Sequence, residues 1–529
     1  MGGTCRRVSR GSDHSLLRVA GRFVLKRREA AGTRNLVMLI LLLMAAVPSW
    51  ASTYYVSKST GSDSNSGTSK GAAWAHLPGM ASWTGSHTPV AGDTFILMGC
   101  DVWGSSDLPI LWNWSGSSGN VITIGGEDHT WYNTTNCPST WNRPIFDAQK
   151  TVLSGYNFMF EASASNSTSY VTLDNVEMRG LEVTSSDAGD FLDAFNQTNN
   201  WTLSNLYIHA WDSSADNCRI VQWQTGGNVF TNSVIDGSDG TGAAATASCY
   251  AFYPTPPDIK NSVIHDVPNG IVGYAGGLAG GTTVTVNGNL IYNINPSYEG
   301  ESHINTMEWV GAGTYYVANN VFHDNGGEQM FFCNAGEVDY FWNNLWYNMN
   351  GAPPEADGRD SPCTAYFYNN TIVNTQSSGV CIGLTGASSG VTVNVENLHC
   401  ISPGGFGSWG GGTTSLWQTP AQADADNSPN YDQYTASETY AYSPVAGTNS
   451  TVGAGTNLTA SCSGSLTSLC FDTSYACTEQ TVNGVVQAVC PTRTAVARPT
   501  SAAWDIGAYQ DPSSSGPLQP PTNVKATAH

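Results

Sequence analysis

Short runs of Val, Ile, Phe, Tyr and Trp recur through the middle of the chain, separated by Asn, Gly, Ser and Asp. One phrase marks the recurrence: Asn175-Val-Glu-Met-Arg179, Asn205-Leu-Tyr-Ile-His209, Asn232-Ser-Val-Ile-Asp236, Asn261-Ser-Val-Ile-His265, Gly288-Asn-Leu-Ile-Tyr292, Asn319-Asn-Val-Phe-His323, Asn343-Asn-Leu-Trp-Tyr347, Asn369-Asn-Thr-Ile-Val373 and Glu396-Asn-Leu-His-Cys400. Its starts are 24 to 31 residues apart. A period of that size, with β-branched and aromatic runs between turn residues, predicts a solenoid of short strands. Helical repeats would need sustained 3.6-residue periodicity and helix formers, and neither is present. One strand triplet cannot bury its apolar face alone. The coils must therefore stack into an all-β, parallel β-helix.

The phrase itself predicts structure before chemistry. Asn at its first two positions suits a turn that tolerates left-handed backbone, with stacked amides bonding from coil to coil. The fifth position reads Arg179, His209, Asp236, His265, Tyr292, His323, Tyr347, Val373, Cys400. Coils repeat at about 4.8 Å, so alternate members lie about 10 Å apart, too far to share one zinc ion. A polar stripe along the turn is the expectation.

The strands before each phrase are less regular. Asp190-Phe-Leu-Asp-Ala-Phe195, Arg219-Ile-Val-Gln-Trp223, Tyr250-Ala-Phe-Tyr253, His303-Ile-Asn-Thr-Met-Glu-Trp309 and Glu328-Gln-Met-Phe-Phe332 are expected to stack into a groove wall. Its substrate-binding members are Asp190, Asp193, Arg219, Gln222, Tyr250, Asn305 and Trp309, and its candidate catalytic members are Glu301, His303, Glu308 and Glu328. Carboxylates beside aromatic rings suit a sugar polymer, because rings stack on apolar sugar faces and carboxylates bind hydroxyls.

Composition narrows the partners. The net charge is −21, and nine of the 20 Lys/Arg precede Ser52 against two of the 41 Asp/Glu. The remainder carries 11 basic and 39 acidic residues, which repels nucleic acid. Residues 1–51 read as a signal peptide: a long basic stretch, the apolar run Leu36 to Val47, and Ser49 and Ala51 as small residues before the cut. Its length allows for a later start codon. Cys5 leaves with that segment, and the other 12 cysteines are even in number with no CxxC pair, so an exported, disulfide-bonded chain is expected and zinc is not. Neighbours paired in sequence would staple coils or close loops.

After the cut, Tyr54-Tyr-Val-Ser-Lys-Ser-Thr-Gly-Ser-Asp63-Ser-Asn65-Ser-Gly67-Thr68 and Trp74 resemble the opening of secreted right-handed parallel β-helix proteins of the pectate-lyase-like superfamily. The resemblance implies a right-handed single-stranded coil with an N-terminal cap over residues 52–150 and central coils over 151–402. Asp63, Asn65 and Gly67 have a calcium-loop flavour but lack the terminal Glu, so an Asx turn is the expectation. At the far end, Arg498-Pro499 and Trp504-Asp505-Ile506-Gly507-Ala508-Tyr509 resemble the terminal coil of the same proteins, expected to close the core. Residues 403–511 thus read as a long loop, a last coil and a disulfide-rich cap. Residues 512–529 resemble the start of a fibronectin type III module.

The segment from Glu301 to Trp309 is similar to the His-x-Asp-Gly-Ile-Gln strand of carbohydrate-active β-helices, with Asn305 and Glu308 in place of Asp and Gln. Taken together, the groove and the signal peptide lead to the expectation of a secreted or cell-surface monomer, with no membrane anchor after signal cleavage, that binds an extracellular polysaccharide and cleaves it. A glycoside hydrolase needs a carboxyl pair, which Glu301, Glu308 and Glu328, or Asp190 and Asp193, supply. A lyase would turn to Arg219 and His303, with Ca²⁺ held by the acids, and the scarcity of Lys and Arg weighs against it. No cofactor is fixed by the sequence, and Ca²⁺ is the one candidate it leaves open. The alternative from another class is a non-catalytic β-helix serving as a rigid stalk.

Overall fold

The computed structural model describes residues 51–153, 158–162, 167–184, 190–194, 199–213, 218–239, 249–273, 282–294, 305–309, 311–333, 336–349, 351–357, 362–386, 389–427, 451–473, 476–492 and 494–510. The expected signal peptide and the tail from 512 lie outside these residues.

Three parallel sheets, of twelve, ten and thirteen strands, wrap one elongated core. A single coil shows the path. Gly313–Ala318 lies on the twelve-stranded long face, Val321–His323 on the thirteen-stranded short face and Glu328–Phe332 on the ten-stranded face, before Val338–Trp342 returns to the long face. Alternation fixes the long-face strands. In Ser169–Asp174, Val171 and Leu173 are fully buried while Thr172 and Asp174 are half-buried. The inward column then continues through Leu203, Phe230, Ile259, Val286, Val317, Phe341, Phe367 and Val395, coil by coil. This is the parallel β-helix that the repeat predicts.

The Asn turn is also as expected. Asn175, Asn205, Asn232, Asn261, Asn319, Asn343 and Asn369 all have φ between 50° and 56°, and Gly288 takes the same place at 73°. At the second position Asn289, Asn320, Asn344 and Asn370 form a buried ladder, each amide donating to the next oxygen at 3.0 Å. The last repeat needs a correction of one residue. The left-handed turn falls on Asn397 (φ 56°), not Glu396, and His399 pairs with Thr371. The left-handed region favours Asn over Glu, so Ile401, not Cys400, follows Val373 in the fifth column.

That column is a ring stack. His265, Tyr292, His323 and Tyr347 lie face to face at 4.7, 4.9 and 4.8 Å. The antiparallel hairpin Thr478–Val482/Val485–Val489 lies against it. Glu479 accepts from His265 Nε2 (2.7 Å), Asp266 engages Nδ1 (2.6 Å), and Asp236 lies 3.6 Å from Nε2. Burial would lower the His265 pKa, but these partners overturn it and raise it to about 9. A histidine whose pKa is higher folded than unfolded stabilises fully below about pH 6.5, and the gain disappears as pH rises through its folded value. Glu479→Gln is therefore expected to cost about 1–2 kcal/mol near neutrality and almost nothing by about pH 10. Urea midpoints of both proteins across that range check this; a cost that does not change with pH contradicts it.

All six disulfides join neighbouring cysteines: Cys100–Cys137, Cys218–Cys249, Cys333–Cys363, Cys381–Cys400, Cys462–Cys470 and Cys477–Cys490. Among the described residues no helix is long and apolar enough to cross a membrane. The disulfides accord with export.

At the N-terminal end Tyr54 stacks on Trp74 at 4.7 Å, and Trp74 abuts Trp83. Asp63 accepts from the amides of Ala75, His76 and Thr84 and from the His76 ring, so it knits the cap to segments 12 to 21 residues on rather than closing an Asx turn. The C-terminal motif differs from expectation. Trp504 belongs to a small side cluster with Leu469 and Trp342, while Arg498 bonds Asn343 and Ala508 bonds Thr371. The motif thus straps the flank across successive coils, because its polar atoms match the Asn turns. Phe406 and Trp409, in the Gly-rich excursion, pack against the main core instead.

Candidate functional site

The ten-stranded face carries the residues that the sequence marks for chemistry. A regular strand sends residues three apart to opposite sides. Here the ladder pairs Asp190 with Arg219 and Leu192 with Val221 but passes over Phe191 and Ile220. The same gap recurs in the next coil and again between Glu328–Phe332 and Ala352–Asp357. Second and third positions are buried: Phe191 with Leu192, Ile220 with Val221, Ala251 with Phe252. First and fourth positions meet on the other side. Arg219 donates to Gln222 at 2.8 Å, Tyr250 and Tyr253 have ring centroids 5.0 Å apart, and Asn305 donates to Glu308 at 2.8 Å.

Two parallel rows result. One runs Asp190, Arg219, Tyr250, Asn269, and continues with Asn305 beside Glu328. The other runs Glu161, Asp193, Gln222, Tyr253, and further along holds Val272, Glu308 and Glu355. Arg219 also lies over the Tyr253 ring, 4.7 Å from its centre, and is the only Lys or Arg in these ten strands. Thr385 donates to Glu355 at 2.6 Å.

Of the expected site residues, Asp190, Asp193, Arg219, Gln222 and Tyr250 come together on three adjacent strands. Asn305, Glu308 and Glu328 form a second group. Glu301 and His303 lie outside the described residues. Trp309 needs correction: it is fully buried and stacks on Tyr315 at 4.6 Å, because it shares the inward side of Met307 rather than that of Glu308. Exposure separates the acids. Asp190 is fully buried and Glu308 is 6% exposed, whereas Asp193 and Glu161 remain partly open.

Sequence reading missed Glu161. It closes the apolar run Phe158-Met-Phe-Glu161, one coil upstream of Asp193, and the spacing alone could have found it. Burial, then the charge of Asp193, raise its pKa above the ordinary carboxylate range. Asp190 is pushed well up by burial and Asp193, with Arg219 opposing. A carboxyl kept protonated next to an ionised one can divide into acid and base or nucleophile. The Asp236, His265 and Asp266 ligand atoms also lie within 4.8 Å of one another, but His265 Nδ1 is already bonded to Asp266 and its Nε2 to Glu479 of the hairpin.

The ladders and turns define the chain as a parallel β-helix protein. Solved structures similar to it include a rhamnogalacturonan lyase (16% identity, 66% of this chain and 87% of that one, TM-score 0.44). The pectate lyase Pel9A is similar at 16% identity, covering 88% of this chain and 98% of its own with a TM-score of 0.45. The GH136 lacto-N-biosidase of Eubacterium ramulus follows at 12%, with 69% and 70% covered and a TM-score of 0.29. No family model matches the chain, and no curated protein is similar to it. Chemistry is therefore read from this chain's own residues.

Proposed function

We propose that the ten-stranded face binds an extracellular polysaccharide and hydrolyses it, with Glu161 as acid and Asp193 as nucleophile. The observation that carries the reading is the pairing of Glu161 with Asp193 on adjacent strands, both partly open, with Glu161 biased toward its protonated form. Ladder partners stand about 4.8 Å apart. Carboxyls about 5 Å apart suit hydrolysis with retention of configuration. Glu161 gives its proton to the glycosidic oxygen as that bond breaks, and the Asp193 carboxylate bonds to the freed anomeric carbon. Water then displaces Asp193, with Glu161 taking back the water's proton. Tyr250 and Tyr253, both half-buried, extend the surface toward neighbouring sugars through their ring edges.

Hydrolysis is favoured over elimination because Arg219, the one cationic side chain of these strands, is tied to Gln222 and Tyr253. The stalk reading draws its support from how many polar members are buried and bonded to each other, Asn305 with Glu308 among them. Retention of the purified protein on a panel of neutral and uronic-acid polysaccharides tests the binding half. Tyr250→Ala with Asp193→Ala is expected to lose retention by about tenfold or more. Equal retention of that variant and the wild type contradicts it.

A further inference from the structure

The outward side of the long face carries a row of tyrosines. Thr285, Tyr316, Tyr340, Tyr366 and Asn394 are successive ladder partners there, all half-buried. Tyr316 stacks on Tyr340 at 5.3 Å and Tyr340 on Tyr366 at 4.8 Å, with planes only 17° and 9° apart. Rings stacked along the helix axis hide their faces in one another. Such a row presents edges and hydroxyls to water, one set per coil. Two residues earlier on the strands, Thr314, Thr364 and Thr392 add hydroxyls in a parallel row, with Val338 between the first two. A bank rises along the other side, where Tyr316, Tyr340 and Leu466 pack against the Trp342 and Leu469 cluster. Trp342 Nε1 donates to Ser468 at 3.0 Å, and the Cys462–Cys470 disulfide closes the bank.

Charge sets this strip apart. From Ser52 onward the chain carries 39 acidic and 11 basic residues. Yet at the outward positions of the five strands Thr282–Asn287, Gly313–Ala318, Val338–Trp342, Cys363–Tyr368 and Val391–Glu396, the one charged side chain is Glu396, which accepts from Thr414 at 3.0 Å. The bank, residues 451–473, holds one charged residue, Asp472, and it is buried. A uronate chain or a nucleic acid therefore finds no counter-charge here. Hydroxyls and ring edges repeated at coil spacing suit a repeating polymer better than the irregular contour of a protein. We infer that this strip binds a neutral, extended glycan running along the helix axis, one sugar against each coil. Ladder neighbours stand about 4.8 Å apart, close to the advance of such a chain per ring. The phenol and threonine hydroxyls exchange hydrogen bonds with sugar hydroxyls, and the electropositive ring edges meet sugar oxygens. The strip lies on a different sheet from Glu161 and Asp193 and does not depend on glycan cleavage.

The test is affinity electrophoresis of the purified full chain in native gels containing hydroxyethyl cellulose, arabinoxylan or galactomannan, with polygalacturonate as the charged control. The parent carries Asp193→Ala and Tyr250→Ala, so that the ten-stranded face does not contribute. At least one neutral polymer is expected to retard it, and polygalacturonate is not. Tyr316→Phe/Tyr340→Phe/Tyr366→Phe keeps the ring stack and removes the hydroxyls, and should weaken that retardation about tenfold at an unchanged melting temperature. Tyr366→Phe alone, which lies outside the Trp342 cluster, should cost about threefold and decides the matter should the triple variant not fold. No retardation by any neutral polymer, or equal retardation of the variants and their parent, overturns the proposal. Retardation by polygalacturonate that the variants lose overturns it in favour of an acidic chain. A parent that forms dimers, broken by the triple variant, overturns it in favour of a second copy of this protein.

Discussion

Replacing Glu161 by Gln is expected to lower polysaccharide turnover about 10²–10⁴-fold while leaving the far-ultraviolet spectrum and binding unchanged. The acid must hold a proton at working pH, and Glu161 is partly buried beside the Asp193 charge. An amide keeps the shape and cannot donate that proton to a leaving oxygen. Asp193→Asn should cost at least as much, because the covalent step loses its nucleophile. The pH profile adds a sign. Activity should fall as pH rises through the elevated Glu161 pKa, so its alkaline limb lies above the ordinary carboxylate range. If Glu308→Gln proves damaging and Glu161→Gln harmless, the chemistry belongs to the Asn305, Glu308 and Glu328 group instead.

The largest stability effect is expected from Asn344→Ala. The Asn344 amide donates to the Val317 carbonyl at 2.8 Å and to Asn370 at 3.0 Å. Its oxygen accepts from the backbone and side-chain amides of Asn320, both at 3.0 Å. All four side chains of the ladder are fully buried, so water cannot replace the lost partners. Orphaned buried groups cost about 1–3 kcal/mol each, and the sum after relaxation should reach about 3–5 kcal/mol. Asn232→Gly is the contrast. That position needs only a left-handed backbone (φ 50°), so the change should stay within about 1 kcal/mol. Urea midpoints by circular dichroism separate the two, with hydrogen exchange over residues 286–372 showing whether the damage stays near the broken rung. Equal costs at both positions would mean that the amide ladder contributes nothing beyond its turn.

The architecture was legible because the coils repeat a few facts: an apolar strand, a left-handed Asn (Gly288 once), and in four successive coils a second Asn that bonds its neighbour. The slip at Glu396 shows the limit of reading by resemblance of letters. Either Glu396 or Asn397 could begin the phrase on paper, and only the φ requirement decides. The site was legible in composition but not in orientation. Asp190 and Asp193 share a face through a bend that no hydrophobic pattern announces, and the same bend turns Trp309 inward. Glu161 escaped because it precedes the first recognisable phrase.

One assay tests the central claim most directly: turnover of a panel of neutral and uronic-acid polysaccharides by wild type and Glu161→Gln. New reducing ends and the ultraviolet absorbance of unsaturated products would be followed separately. The account predicts reducing ends without absorbance, from wild type alone. Absorbance would contradict it in favour of elimination, and silence across the panel would leave the acidic face as the wall of a stalk.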